Sequence, residues 1–249
     1  MLDQIYHWFE WLNHAEGINL TIVYDGYDRW RMIHGFLNTI YLSAVCLAFS
    51  VAIGVVGAWL QRSPLVWTRR IVQAYIQLFR NTPPLVQLYF FYFALGSIMP
   101  RTENAYGIME PILSNWNWAI ISLSFFAGSF NVEIFRSGIE AVPRSTVEAA
   151  ESLGFNRLQT YVYVVLPLAF RVCLPALNNN LVNLVKTTTL AYAIAVPEML
   201  YVANQIWSDN LNVPEMMTFL LLAYVLLVGI LVRAMNKWER AMRLPGYGG

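Results

Sequence analysis

Residues 36–60 form a run of 25 residues without one charged side chain. A soluble fold would have to bury all of it, because surface elements alternate apolar and polar faces. A hydrocarbon layer about 30 Å thick asks for about 20 apolar helical residues, so the run crosses a bilayer with some tilt. Four more apolar stretches follow. They are 71–96, broken by Arg80-Asn81-Thr82-Pro83-Pro84; 118–135, carrying Asn131 and Glu133; 172–196, holding Asn178, Asn179, Asn180, Asn183 and Lys186; and 216–232. The expected fold is all-α, a polytopic membrane protein with five transmembrane helices. Composition supports this: the 249 residues are 57% hydrophobic and 12% charged, against about 45–50% and about 25% in soluble domains. Little chain is left for a separate globular domain.

Basic residues in the connections set the orientation. Segment 1–35 holds Arg29 and Arg31 against Asp3, Glu10, Glu16, Asp25 and Asp28. The first connection carries Arg62, Arg69 and Arg70, and the second only Arg101. The third carries Arg136, Arg144, Arg157 and Arg171, and the fourth, 205–215, has no Lys or Arg. The tail carries Arg233, Lys237, Arg240 and Arg243. The N-terminus is therefore expected outside and the C-terminus in the cytoplasm. Segment 1–35 lacks the basic start and apolar run of a cleaved signal. With Trp8, Phe9, Trp11, Tyr24, Tyr27 and Trp30 it reads as an external segment at the membrane interface. Residues 36–235 then make the transmembrane domain and 236–249 a cytoplasmic tail.

The longest cytoplasmic connection, 142–167, reads as two short helices around a turn. Pro143 ends the preceding helix, and Ser145 with Glu148 makes the S-x-x-E pattern of a capping box. Gly154 suits the left-handed residue after a helix end, and Asn156 can cap a second helix. Glu148-Ala149-Ala150, Gly154 three residues on, then Val164-x-Leu166-Pro167 after nine more resembles the EAA motif of ABC-importer permeases. Val164 replaces the usual Ile.

Other segments narrow the resemblance to the polar amino-acid permeases, the histidine, glutamine, arginine and glutamate group. Gly35-Phe36-Leu37-Asn38-Thr39-Ile40 is similar to that group's GxxxTL opening. Residues 78–88, LFRNTPPLVQL, resemble its LFRGTPLLVQL; 133–139, EIFRSGI, its EIFRGGI; and 180–190, NLVNLVKTTTL, its NQFISLLKDTSL. The chain departs from the group at Ser145-Thr146, where Gly-Gln is usual, at Leu168, and at Thr187, where an Asp follows the lysine. The closing Arg243-Leu244-Pro245-Gly246 resembles the tails of some glutamate/aspartate permeases.

The resemblance implies a type I ABC-importer permease in the bacterial inner membrane. It implies Glu148, Ala149, Ala150 and Gly154 as the coupling element docking into an ATP-binding subunit, present in two copies. A second permease subunit, the same or related, and a periplasmic or lipid-anchored substrate-binding protein complete the assembly. This chain would be no enzyme and hold no cofactor, with ATP on the partner. It lacks the Gly-Lys-Ser/Thr of a phosphate-binding loop, its two lysines following Val185 and Asn236. Membrane lipid surrounds it, and a net charge of +1 offers nucleic acid nothing.

Ionisable groups inside a span are costly and mark pathways or pairs, so Lys186 is expected to line a substrate site. Thr187 and Thr188 would offer hydroxyls beside it, with helix packing as the competing role. Glu133 is a candidate too, though it can instead fix its span beside Arg136. Thr39 and Gln87 match family positions facing the path. With no acid after the lysine, the small-molecule substrate is expected to be an acidic or neutral polar amino acid, or a related compound. An ion-gradient-driven secondary transporter is the alternative, and it would usually show internal repeats, of which the sequence has none.

Overall fold

A computed structural model describes residues 2–103 and 106–242, and of residues 2 and 3 only the backbone. Arg243 and the closing Leu244-Pro245-Gly246 lie outside the described residues. Ten helices and one small hairpin follow in order among the described residues. They are α1 (Leu2–Glu16), α2 (Thr21–Tyr24), α3 (Gly26–Gln61), α4 (Val66–Asn81) and α5 (Pro84–Ile98). Strands β1 (Arg101–Glu103) and β2 (Met109–Pro111) pair antiparallel, with Thr102 opposite Glu110. Then come α6 (Asn115–Glu140), α7 (Arg144–Ser152), α8 (Arg157–Ile194), α9 (Met199–Asn210) and α10 (Val213–Met242).

Among the described residues, four helices are long and apolar enough to cross a membrane: α3, α6, α8 and α10. The expected crossing at 71–96 is not one helix. Thr82 is extended, with ψ of 144°, because a residue before proline is excluded from the helical region. The stretch therefore splits into α4 and α5, and α5 loosens into a π-helical turn over Phe90–Leu95. Other boundaries shift outward. α3 starts ten residues before 36, taking the end of the expected external segment, and α10 runs into the expected tail. The second helix of the 142–167 connection is not a separate piece. It starts at Arg157, passes a π-helical turn over Tyr161–Val165, and continues as the fourth span. Over Thr188–Ile194 that span tightens into a 3₁₀ helix, stopped by Ala195 in the left-handed region.

The chain forms two compact units. The first comprises residues up to 45, 88–120 and 185–229. Its core gathers Met32, Met199, Val202, Ile206, Met216 and Leu220. Polar side chains tie its helix ends together. Asp28 is 2% exposed and accepts from Arg31 at 3.3 Å and Asn210 at 2.8 Å. Arg31 also reaches Asp209 at 2.9 Å, and Asn212 donates to the Asn19 carbonyl at 2.8 Å.

The second unit comprises 46–87, 121–184 and the chain from 230 on. Here α3 and α6 approach so closely that a Cβ on Gly57 would fall 2.4 Å from Val132 Cγ2. Small residues at such crossings let backbones pack where lipid gives no hydrophobic drive. A buried polar line runs between three helices: Asn180 Nδ2 donates to Asn131 Oδ1 at 2.7 Å, and Asn131 Nδ2 donates to Ser50 Oγ at 3.2 Å.

Candidate functional site

The α7–α8 hairpin is built almost wholly by local rules. Pro143 sits at φ −60°, ψ 140° and starts α7 at Arg144. The Ser145–Glu148 capping box is therefore not made, because both residues already lie inside the helix. The other end follows the glycine rule. Gly154 has φ of +90°, its N–H bonds the Glu151 carbonyl at 3.0 Å, and the Phe155 N–H bonds the Ala150 carbonyl at 3.2 Å. This is the paired closure of a Schellman stop, which needs a residue tolerant of the left-handed region. Asn156 then caps α8 reciprocally with Gln159, both bonds 2.9 Å.

Of the expected coupling residues, Glu148, Ala149 and Gly154 are exposed, while Ala150 is buried. The hairpin's inner side packs Val142, Val147, Tyr161, Val165 and Ala169 into a small core. Its tip does the opposite. Leu153 is 81% exposed and Leu158 is 72% exposed, on either side of the Gly154 turn. Neither leucine stood out in the sequence, because a single Leu beside a turn carries no periodic signal. Two exposed leucines thus flank the Gly154 turn.

The expected substrate residues separate. In the first unit, Thr39 is fully buried, donating to the Gly35 carbonyl at 3.1 Å and accepting the Met199 N–H at 3.0 Å. Thr188 is also fully buried and donates to the Val185 carbonyl at 2.7 Å. Both hydroxyls hold backbone. Lys186 is exposed, with no ion pair or hydrogen bond from its ammonium among the described residues, and Thr187 is half-buried beside it. Lys186 thus does not sit in the apolar core of its own chain; helix periodicity places it on the outer face of α8.

In the second unit, Gln87 Nε2 donates to the Phe79 carbonyl at 2.8 Å and to the Thr82 hydroxyl and carbonyl at 2.6 and 3.0 Å. It fastens the α4–α5 break. Glu133 pairs with Arg136 at 2.8 Å and accepts from Gln61 at 3.5 Å. Arg80 lies 5.1 Å from the Phe130 ring centroid.

Glu198 was not picked out from the sequence, where a lone acid after Pro197 looks like loop punctuation. It is fully buried, caps α9 by accepting the Leu200 and Tyr201 N–H groups at 3.0 and 2.8 Å, and accepts the Tyr224 hydroxyl at 3.1 Å. Burial pushes its carboxyl up to about 7, against the pull of those three donors.

Comparison with known proteins agrees with this architecture. Residues 50–243 match the model of a family described as "Binding-protein-dependent transport system inner membrane component". The octopine transport system permease protein OccM of Rhizobium radiobacter is 31% identical over 224 residues, 88% of this chain and 90% of that one. The glutamate/aspartate import permease protein GltJ of Escherichia coli K12 is 29% identical over 214 residues, 85% and 87% of the two chains. Among solved structures, an amino acid ABC transporter crystallised with histidines aligns with a TM-score of 0.74 and 25% identity, covering 85% of this chain and 94% of that one. A family match over most of the chain, together with membrane-length helices carrying an EAA hairpin, leaves one conclusion: the chain belongs to the binding-protein-dependent transport system inner membrane components, the permease subunits of ABC importers.

Proposed function

We propose that this permease sits in the bacterial inner membrane and carries an acidic or neutral polar amino acid inward. ATP hydrolysis on two copies of a partner subunit would drive the transport. The exposed Leu153–Leu158 tip is the part offered to the ATPase. Its Schellman stop and Asn156 capping box make it stiff enough to pass on that subunit's motion. Alternating access then follows as the hairpin is pulled and released. A second permease subunit and a periplasmic or lipid-anchored binding protein complete the path.

Lys186 carries the substrate assignment. An exposed ammonium inside a membrane helix would cost up to about 2.5–3.5 kcal/mol against lipid, so it faces a polar passage or a partner chain. With Thr187 in the next position and no carboxylate beside it, a substrate carboxylate is its natural counter-ion. A side-chain carboxylate gives glutamate or aspartate a second chance at that contact, and a cationic amino acid would meet like charge. The relative named for glutamate and aspartate supports this choice. In nanodiscs holding the full complex with its binding protein, Lys186→Gln is expected to assemble normally and lose most substrate-stimulated ATP hydrolysis. Undiminished stimulation, or a wild-type response confined to arginine and lysine, overturns the assignment.

A further inference from the structure

Two adjoining hollows in the second unit differ sharply in character. One, about 430 Å³, is lined by Arg62, Arg144, Arg157, Glu151, Thr160 and Tyr161 among others. The other, about 400 Å³, is lined by Val55, Trp59, Phe135, Leu166 and Phe170 among others. Ile139 and Tyr161 belong to both walls, so the polar hollow opens directly against the apolar one.

The polar hollow is short of anions. Its three guanidinium groups come from the residue just after α3, the start of α7 and the start of α8, and none has a carboxylate partner among the described residues. The Arg62 guanidinium stands 5.7 Å from the Tyr161 ring centroid. Of the two acids in the wall, Glu140 is held by Arg136 through both oxygens, at 2.9 Å each, which leaves Glu151 against three arginines. Thr160, 2% exposed, lines the same hollow, and its hydroxyl has no hydrogen-bond partner among the described residues. A buried hydroxyl without a partner is costly, and a phosphate oxygen would satisfy it.

The apolar hollow is a trough between α3, α6 and α8. Its rim is exposed: Trp59 is 65% exposed and Val55 51% exposed. We propose that the two hollows together seat one anionic phospholipid of the cytoplasmic leaflet. Its phosphate lies among Arg62, Arg157 and Thr160, and one acyl chain lies along Trp59, Leu166 and Phe170. Basic pockets between spanning helices on this side of a membrane suit anionic headgroups. The leaflet rests on the reading of α7 as the cytoplasmic hairpin. Because α7 forms one wall through Arg144, Val147 and Glu151, the lipid braces the hairpin from its inner side.

The test is native mass spectrometry of the purified importer complex titrated with phosphatidylglycerol, phosphatidylcholine or inorganic phosphate. One phosphatidylglycerol per permease chain is expected, with phosphatidylcholine held far more weakly. Arg62→Gln combined with Arg157→Gln should weaken phosphatidylglycerol about thirtyfold, since two basic contacts are lost. Trp59→Ser should weaken it by shortening the trough while leaving the basic hollow intact. Equal retention of both lipids, or an unchanged affinity in the double variant, overturns the seat. Displacement by inorganic phosphate alone also overturns it in favour of a small-anion site. ATPase retention is read in the same spectra. An arginine variant that loses the ATPase while keeping lipid shows instead that the hollow receives an acidic side chain of that subunit. Correct ATPase binding without any specific lipid leaves the transport reading standing and removes only this proposal.

Discussion

The Glu198 surroundings and the Leu153–Leu158 tip treat polarity in opposite ways. Around Glu198 the key polar groups are enclosed and matched: the Thr39 hydroxyl to the Met199 N–H, the carboxylate to two backbone donors and the Tyr224 hydroxyl. At the tip the polar backbone is matched just as well, but the side chains left outside are leucines. The first region spends its chemistry on staying in one arrangement. The second is rigid by its own turn and cap and leaves its adhesive surface unused within the chain. A buried polar network answers to stability, and the proposed function gives the bare apolar tip to a partner.

Substitutions should separate the two. The largest effect is expected from Leu153→Asp. A charged side chain in place of an apolar anchor at a protein interface costs on the order of 2–4 kcal/mol, so ATPase affinity should fall about thirtyfold or more. Thermal unfolding of the permease should not move, since the site is solvent-facing. A shifted melting midpoint with normal ATPase retention would place Leu153 in the fold and break the contrast. Thr39→Val should do the reverse. It leaves the buried Met199 N–H without an acceptor, at about 1–3 kcal/mol, so the melting midpoint drops while ATPase retention holds. Lost substrate response without lost stability would return Thr39 to the pathway. Gly154→Val should give the smallest change. A Cβ there meets nothing within 4 Å, so the cost is the left-handed backbone alone, about 1–2 kcal/mol. A melting midpoint lower by a few degrees, with at most several-fold weaker ATPase retention, is the expected outcome.

The sequence shows the hairpin clearly because its signals are local. Pro143, Gly154 and Asn156 each act within a few residues, and all three do what their chemistry predicts. The Ser145–Glu148 pattern misled because Pro143 had already set the start of α7 two residues earlier than that pattern implies. Four of the five apolar runs gave membrane-length helices, but the ends of those helices depend on partners far along the chain. α3 starts at Gly26 where Asp28 and Arg31 find Asn210 and Asp209, contacts that no local pattern encodes. The polar candidates were the least legible. A hydroxyl in an apolar helix looks the same whether it faces a passage, as expected for Thr188, or bonds the preceding turn, as it does. Only long-range packing decides between the two.

The π-helical turn over Tyr161–Val165 also fixes a phase. One residue of an α-helix turns the chain by about 100°, and a π-turn amounts to one extra residue accommodated without breaking the helix. The four residues at the start of α8 are therefore out of step with the span that follows, and the hairpin tip points along an azimuth that the span alone would not give. Removing one residue from 161–165 would restore an unbroken α-helix and swing Leu153 and Leu158 about a quarter-turn around the helix axis. Every side chain at the tip would be kept, and the tip would face elsewhere.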